Sequence, residues 1–314
     1  MPDPIIATLR RIPASCRPWG RGWCATAACM LETLAPKPGN VHPAADFDDL
    51  SHGELIAAGI AIGPPLDIAA GRPLGRVVLE AIEASRRCTR SNANLGIVLA
   101  IAPLAALPDG PAGAHPVTAA AVAAVLARLG PEDAADVWRA IAIANPGGMG
   151  ASDRWDLAGP PPTDLLEAMR LSAAHDQIGR LWSHGYGDLL DGLVRDLAAE
   201  VDGLVAAGTT GSQPLLDAIV RGFLRQLART PDSLIARRHG PAIAADVSAG
   251  AAAVLARAHT PAWAAALADF DRRLRSPRRV NPGTTADLVA AALYILLRDG
   301  RLRPIVEPAL ECPA

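Results

Sequence analysis

Four polar segments interrupt an otherwise apolar sequence, and each carries residue types suited to phosphate or metal chemistry. The first is Pro36-Lys37-Pro38-Gly39-Asn40-Val41-His42, followed by Asp46-Phe47-Asp48-Asp49. Its two prolines hold the lysine in extended backbone, because proline restricts both itself and its predecessor. Gly39 permits a close backbone approach. Carboxylates at this density, Asp46 and Asp49 among them, suit a hard cation such as Mg²⁺, which is usually held by one or two carboxylates plus substrate phosphates. A solvated acidic loop is the plainer alternative. Lys37 is singular: of thirty basic residues, twenty-nine are arginine and one is lysine. Lysine is a compact point charge where arginine is a planar fork, so its retention points to an ammonium beside a phosphate.

The second segment, Ser91-Asn92-Ala93-Asn94-Leu95-Gly96, opens a run of apolar residues. One polar residue there would cap a helix; Asn92 and Asn94 together read as ligand contacts at a positive helix end. The third runs from Ala174-His175-Asp176 to Arg180, His184, Tyr186 and Asp188. Asp176, Arg180 and His184 have the i, i+4, i+8 spacing of one helix face, where an ordinary ion pair explains the first two. Gly185 and Gly187 should end or kink that helix and expose Tyr186. The fourth, Asn281-Pro282-Gly283-Thr284-Thr285-Ala286-Asp287, brings a glycine and two hydroxyls to a helix start, a common phosphate-binding arrangement. Asp287 in that first turn suits a metal bridging to the phosphate, although Thr284 with Asp287 also has capping-box spacing. Upstream, Arg237 and Arg238 offer guanidinium groups for further phosphate oxygens.

The elements that must position these loops are helices. Alanine and leucine dominate, aromatics make up 4% of the chain, and Ala and Leu lose little side-chain freedom in a helix. Apolar periodicity predicts about twelve helices, roughly at 21–35, 51–62, 74–88, 91–107, 116–129, 131–143, 163–184, 188–207, 213–229, 241–258, 260–275 and 284–298. No convincing period-2 strand occurs. Ser51 with Glu54 and Asp164 with Glu167 mark two of the starts. The expected architecture is all-α: a loosely attached leader over 1–20, then one helical catalytic domain over 21–314, with the Gly/Pro-rich stretch 145–162 as the sole candidate seam.

Taken in order, the segments resemble the triphosphoribosyl-dephospho-CoA synthase family. The likeness rests on Pro36-Lys37-Pro38-Gly39, Asp46 to Leu50, Ser91 to Gly96, Asp232 to Gly240 and Asn281 to Leu288, and spans about residues 24–298. The resemblance implies an all-helical enzyme that joins the triphosphoribosyl part of ATP to 3′-dephospho-CoA and releases adenine. It implies Asp49 or Asp176 as the carboxylate beside the reacting carbon. Lys37 and Mg²⁺, held by Asp46, Asp49 or Asp287, would neutralise the triphosphate. Leu95 stands where better-known members carry lysine, and a Gly-Ala-Arg-Gly-Glu-Ala segment is not evident, so Arg237 or Arg238 would have to supply the missing charge.

A related acceptor, including a pterin-type substrate of one-carbon metabolism, stays open at this point, as do a metal-dependent nucleotide hydrolase and a non-catalytic helical binding protein. Composition narrows the partners. A net charge of −2 without a long basic run argues against nucleic acid, which needs a concentrated positive face. The apolar stretches Leu95 to Leu107 and Leu288 to Leu297 fall short of the roughly 20 residues of a membrane span. Five cysteines without CxxC spacing fit a reducing, cytoplasmic compartment. Small-molecule nucleotides are the expected partners, and a homodimer is possible.

Overall fold

The computed structural model describes residues 20–108, 116–146, 159–209 and 211–302, and their regular structure is helical throughout. The first half contributes α1 (Arg21–Leu34), α2 (His52–Ala61), α3 (Gly63–Asp67), α4 (Leu74–Arg86), α5 (Leu95–Ala105), α6 (Ala119–Leu126) and α7 (Pro131–Ala144). Then come α8 (Leu165–Ser172), α9 (Gln177–Ser183) and α10 (Gly187–Leu189), which passes through a π-helical turn (Leu190–Val194) into α11 (Arg195–Ala206). The last part supplies α12 (Gln213–Arg229), α13 (Ser233–His239), α14 (Pro241–Leu255), α15 (Trp263–Arg275) and α16 (Gly283–Arg298). The expected leader lies almost wholly outside the described residues, as does most of the 145–162 seam.

α16 is the axis of the core. From Leu288 to Leu297 every residue is buried, and the helix packs on α1, α5, α12 and the π-helical turn. Each buried leucine contributes roughly 1.5–3 kcal/mol, so a helix apolar nearly all round becomes the element on which the others pack. α5 is the second buried helix, and it carries Pro103 in its interior. Proline has no N–H to give to the carbonyl four residues earlier, which here is that of Leu99. The indole of Trp182 fills the gap, donating from Nε1 to Leu99 O at 2.8 Å. Tyr186 Oη donates to Ala100 O at 2.8 Å alongside. These two bonds fasten α9 and α10 across α5. Tyr186 is therefore buried, not exposed: Gly185 and Tyr186 both adopt left-handed backbone, and the sharp turn drives the ring inward.

Aspartate side chains account for the other departures. The single helix expected over 163–184 is broken, because Asp176 Oδ1 accepts from Ile178 N and Gly179 N, both at 2.9 Å, and starts α9 afresh. An Asp that bonds its own backbone competes with helix continuation. Asp176 and Arg180 thus do not pair along one helix; Arg180 pairs with Asp188 at 3.0 Å. Asp232 does the same for α13, a helix absent from the expected set, accepting from Leu234 N at 2.9 Å and Ile235 N at 3.0 Å. The Ser51–Glu54 capping box forms as expected, with bonds of 3.2 and 2.9 Å. The Thr284–Asp287 box does not: α16 begins at Gly283, and both threonines lie inside its first turn.

Replacing Trp182 with phenylalanine should cost about 1–3 kcal/mol in a denaturant melt, the penalty for a buried carbonyl left short of a donor. Pro103→Ala in the same chain should recover part of that loss by restoring the helical N–H. Equal stability of Trp182→Phe with and without Pro103→Ala would disconnect the two residues.

Candidate active site

A cavity of about 550 Å³ opens where α5, α7, α8, α9, α13 and α16 meet the loops at 47–50, 90–92 and 279–281. One side is apolar, formed by Leu95 and Leu99 of α5, Trp138 and Ile141 of α7, and Leu165 and Met169 of α8. Five arginines line it, Arg86, Arg90, Arg237, Arg238 and Arg279, against three aspartates, Asp49, Asp176 and Asp287. A space with an apolar wall and a surplus of guanidinium suits a ligand with a flat or aliphatic part joined to several phosphates.

The aspartates differ sharply in their surroundings. Asp49 is ion-paired with Arg279, whose guanidinium also stacks on Phe47 at 4.0 Å. The Arg279 hydrogen bond holds the Asp49 carboxyl below its ordinary range. Asp176 spends Oδ1 on the start of α9 and Oδ2 on Arg237. Arg237 keeps a buried Nε–H without a partner among the described residues. Asp287 forms no side-chain hydrogen bond or ion pair among the described residues. Its carboxylate rests on the backbone of Gly96, where a Cβ would lie 2.0 Å from Oδ2. Burial, then the charges of Glu32, Asp232 and Asp176, push its pKa well above the ordinary carboxylate value, with Arg237 pulling the other way.

The floor beneath Asp287 is built from hydrogen bonds between helix starts. Asp232 Oδ2 accepts from Thr285 N and Thr285 Oγ1, both at 2.7 Å. Ser233 Oγ donates to Thr284 Oγ1 at 3.1 Å. Gln177 and Ser233 exchange bonds of 3.3 and 3.0 Å. α9, α13 and α16 therefore enter the site as one rigid unit. At the mouth, Arg86 donates to the carbonyls of Thr89, Arg90 and Ser91, and Ser91 Oγ donates to Asp49 O at 2.6 Å. The loops bearing Asn92 and Asp49 are thereby tied together.

The residues singled out in the sequence divide accordingly. Asn92, Arg237, Arg238, Thr284, Asp49, Asp176 and Asp287 all line the cavity. Asn92 Oδ1 also accepts from Leu95 N at 3.2 Å, so it starts α5. Thr285 is fully buried on Asp232, and Asn94, 2% exposed, lies behind the wall with its Nδ2 unpartnered among the described residues. Lys37 is the plainest correction. It is 0% exposed, does not line the cavity, pairs with Glu32 at 2.8 Å and donates to the carbonyls of Glu32 and Ala35. An ammonium in the interior needs such a partner. Its loop is scaffold: Gly39, at φ 78°, lies so close to Val280 O that a Cβ would be 2.8 Å away, and Asn40 Nδ2 donates to Asn281 Oδ1 at 2.6 Å.

The three carboxylates named as candidate metal ligands, Asp46, Asp49 and Asp287, do not converge on one point among the described residues. Asp46 is an exposed residue bonded to His52 at 2.9 Å, Asp49 belongs to Arg279, and no cluster of three metal-ligating side chains occurs among the described residues. Sequence reasoning passed over Arg86, Arg90, Arg279 and Trp138. Arg279 and Arg90 had one available signal, their positions just before the Asn281 loop and the Ser91 segment; Arg86 and Trp138 sit in ordinary helical pattern.

Lys37→Met should destabilise the fold by about 3–5 kcal/mol, because Glu32 is left buried without its cation. Adding Glu32→Gln should restore much of that stability, as read by thermal melting. A stable Lys37→Met protein with weakened nucleotide binding would return the lysine to the phosphate site.

A profile of the ATP:dephospho-CoA triphosphoribosyl transferase family matches residues 18–304. A crystal structure from Archaeoglobus fulgidus, described as that of a triphosphoribosyl-dephospho-CoA synthase, superposes with a TM-score of 0.58 at 23% identity, covering 78% of this chain and 99% of that one. That likeness bears on the fold. No curated protein matches the chain in sequence, and no helix among the described residues is long and apolar enough to cross a membrane. With the profile covering nearly the whole chain, the protein belongs to the ATP:dephospho-CoA triphosphoribosyl transferase family.

Proposed function

We propose that this cavity is where ATP and the acceptor hydroxyl of 3′-dephospho-CoA meet, and that Asp287 is the base of the transfer. The family's reaction moves the triphosphoribosyl unit of ATP to dephospho-CoA, with loss of adenine. The bond from C1′ to the adenine nitrogen breaks, positive charge builds at C1′, and the acceptor oxygen closes on that carbon while giving up its proton. One observation carries the assignment: Asp287 is the only cavity aspartate that no arginine or helix start has claimed among the described residues. Its raised pKa makes the carboxylate a stronger base than an ordinary one, which suits a proton-accepting role.

The arginines take the other end. Arg237 and Arg238 on α13, with Arg90 and Arg279 at the mouth, are placed to receive phosphate oxygens, each as a planar donor fork. Arg237 retains its unpartnered Nε–H for this purpose. The role implied for Asp176 passes from catalysis to orientation, since its oxygens already hold α9 and Arg237. Magnesium enters as part of the substrate, MgATP, carried chiefly by phosphate oxygens as is usual for this ion. We place the protein in the cytoplasm, where ATP is available and where the buried thiols of Cys24 and Cys29 stay reduced.

Purified protein given MgATP and 3′-dephospho-CoA should release adenine and add a triphosphoribosyl mass to the acceptor. Asp287→Asn should lower kcat by roughly 10²–10⁴-fold, the usual worth of a general base, with little change in the KM for ATP. Gly96→Ala should mimic that loss by displacing the carboxylate. A base must be ionised to act, so the wild-type rate should fall with pH as Asp287 takes up its proton, above the usual carboxylate range. An Asp287→Asn protein with wild-type kcat would remove Asp287 from the chemistry.

A further inference from the structure

We infer that His175 is the general acid that protonates adenine as it leaves, an assignment that rests on the transfer reading above. The leaving step needs a proton: when the C1′–N bond breaks, its electron pair stays on adenine, and a ring nitrogen must be protonated for the base to depart neutral. The described cavity walls hold few groups that can give one. Arginines hold their proton permanently in proteins and cannot give it up. Asp49 and Asp176 are ion-paired with Arg279 and Arg237, so their oxygens face guanidinium donors. Asp287 is engaged in accepting the acceptor's proton. His175 is the one histidine among the lining residues, and imidazole is the side chain that exchanges a proton near neutral pH.

Its place in the chain puts it at the required point. α8 ends at Ser172, and Leu165, Ala168, Met169 and Ser172 of that helix line the apolar side of the cavity beside Trp138 and Ile141 of α7. α9 starts at Gln177 behind Asp176, whose carboxylate holds Arg237 on the charged side. His175 lies in the short connection between the two helices, at the seam where an apolar base would end and a ribose with its phosphates would begin. The backbone there is fixed, with His175 N and Asp176 N both donating to Ser172 O at 3.0 and 2.8 Å. The imidazole is exposed and forms no side-chain hydrogen bond or ion pair among the described residues, so it is available to a ligand. Charged groups sharing the cavity are Asp176 beside it, Arg237 and Arg238 from α13, Asp287 from α16, and at the mouth Asp49 with Arg86, Arg90 and Arg279.

The protons balance over a turnover. His175 gives one to adenine, Asp287 takes one from the acceptor hydroxyl, and solvent returns both groups to their starting states. No oxidant or further reactant is needed.

The test compares wild type with His175→Gln, using MgATP and, separately, nicotinamide riboside triphosphate. In the second donor the leaving base carries its own positive charge and departs neutral without protonation. With MgATP, His175→Gln should lose roughly 10²–10⁴ in kcat. With the nicotinamide donor, its rate should come within about threefold of wild type by the same reasoning. A purely structural role would depress both donors alike, and that result would overturn the assignment. So would adenine release from His175→Gln at the wild-type rate. No adenine from wild-type protein would sink the transfer reading and the acid with it, which separates that failure from failure of His175 alone.

Discussion

Asp232 is fully buried, and its two oxygens are shared between two helices. One oxygen starts α13 through Leu234 N and Ile235 N; the other receives the N–H and hydroxyl of Thr285 in the first turn of α16. Burial pushes the pKa of this carboxyl upward, and the bonds from Thr285, Ile235 and Leu234 pull it back. The consequence is spatial. Arg237 lies on the helix that one oxygen starts, and Asp287 two residues beyond the threonine that the other oxygen holds. The separation between the cavity's central cation and its central carboxylate is thus set by one side chain that touches neither. Preorganisation of this kind matters because a misplacement near 1 Å can cost about a hundredfold in rate.

The same logic explains why the lysine reads so differently in sequence and in space. A lone lysine in an arginine-rich chain is a strong signal that position 37 is special, but it does not say for what. The narrow ammonium fits a fully enclosed site against Glu32 and two carbonyls, where a broad guanidinium would leave donors unsatisfied. Rarity marked a constraint on packing, and the chemistry lay one layer further out.

Helix positions were legible wherever apolar periodicity was long: α4, α12 and α16 fall close to their expected bounds. Short helices set by a single aspartate, α9 and α13, were not, because the decisive hydrogen bond is local and leaves the apolar pattern nearly unbroken. In the site, loops with unusual composition were found, and Asn92, Arg237, Arg238, Thr284 and Asp287 do face the cavity. Which carboxylate is free could not be read from spacing. Asp46, Asp49 and Asp287 look equivalent in a sequence; only the third is left without a cation or a hydrogen-bond donor among the described residues. Arg279 and Trp138 reach the cavity through tertiary packing, which no short window of sequence encodes.

The Asp176–Arg237 pair has a consequence for what the cavity would tolerate. Small anions are abundant in any cell, and a bare guanidinium in a pocket would be a trap for them. Here the arginine already has a carboxylate, as does Arg279, so a single phosphate or chloride must outcompete a tethered rival that never diffuses away. A triphosphate can meet several guanidinium groups together, and the sum of those contacts can prevail where one cannot. On the proposed reading, the internal salt bridges would act as a threshold: inorganic anions would be held off, and a polyphosphate chain long enough to reach across the site would displace both carboxylates.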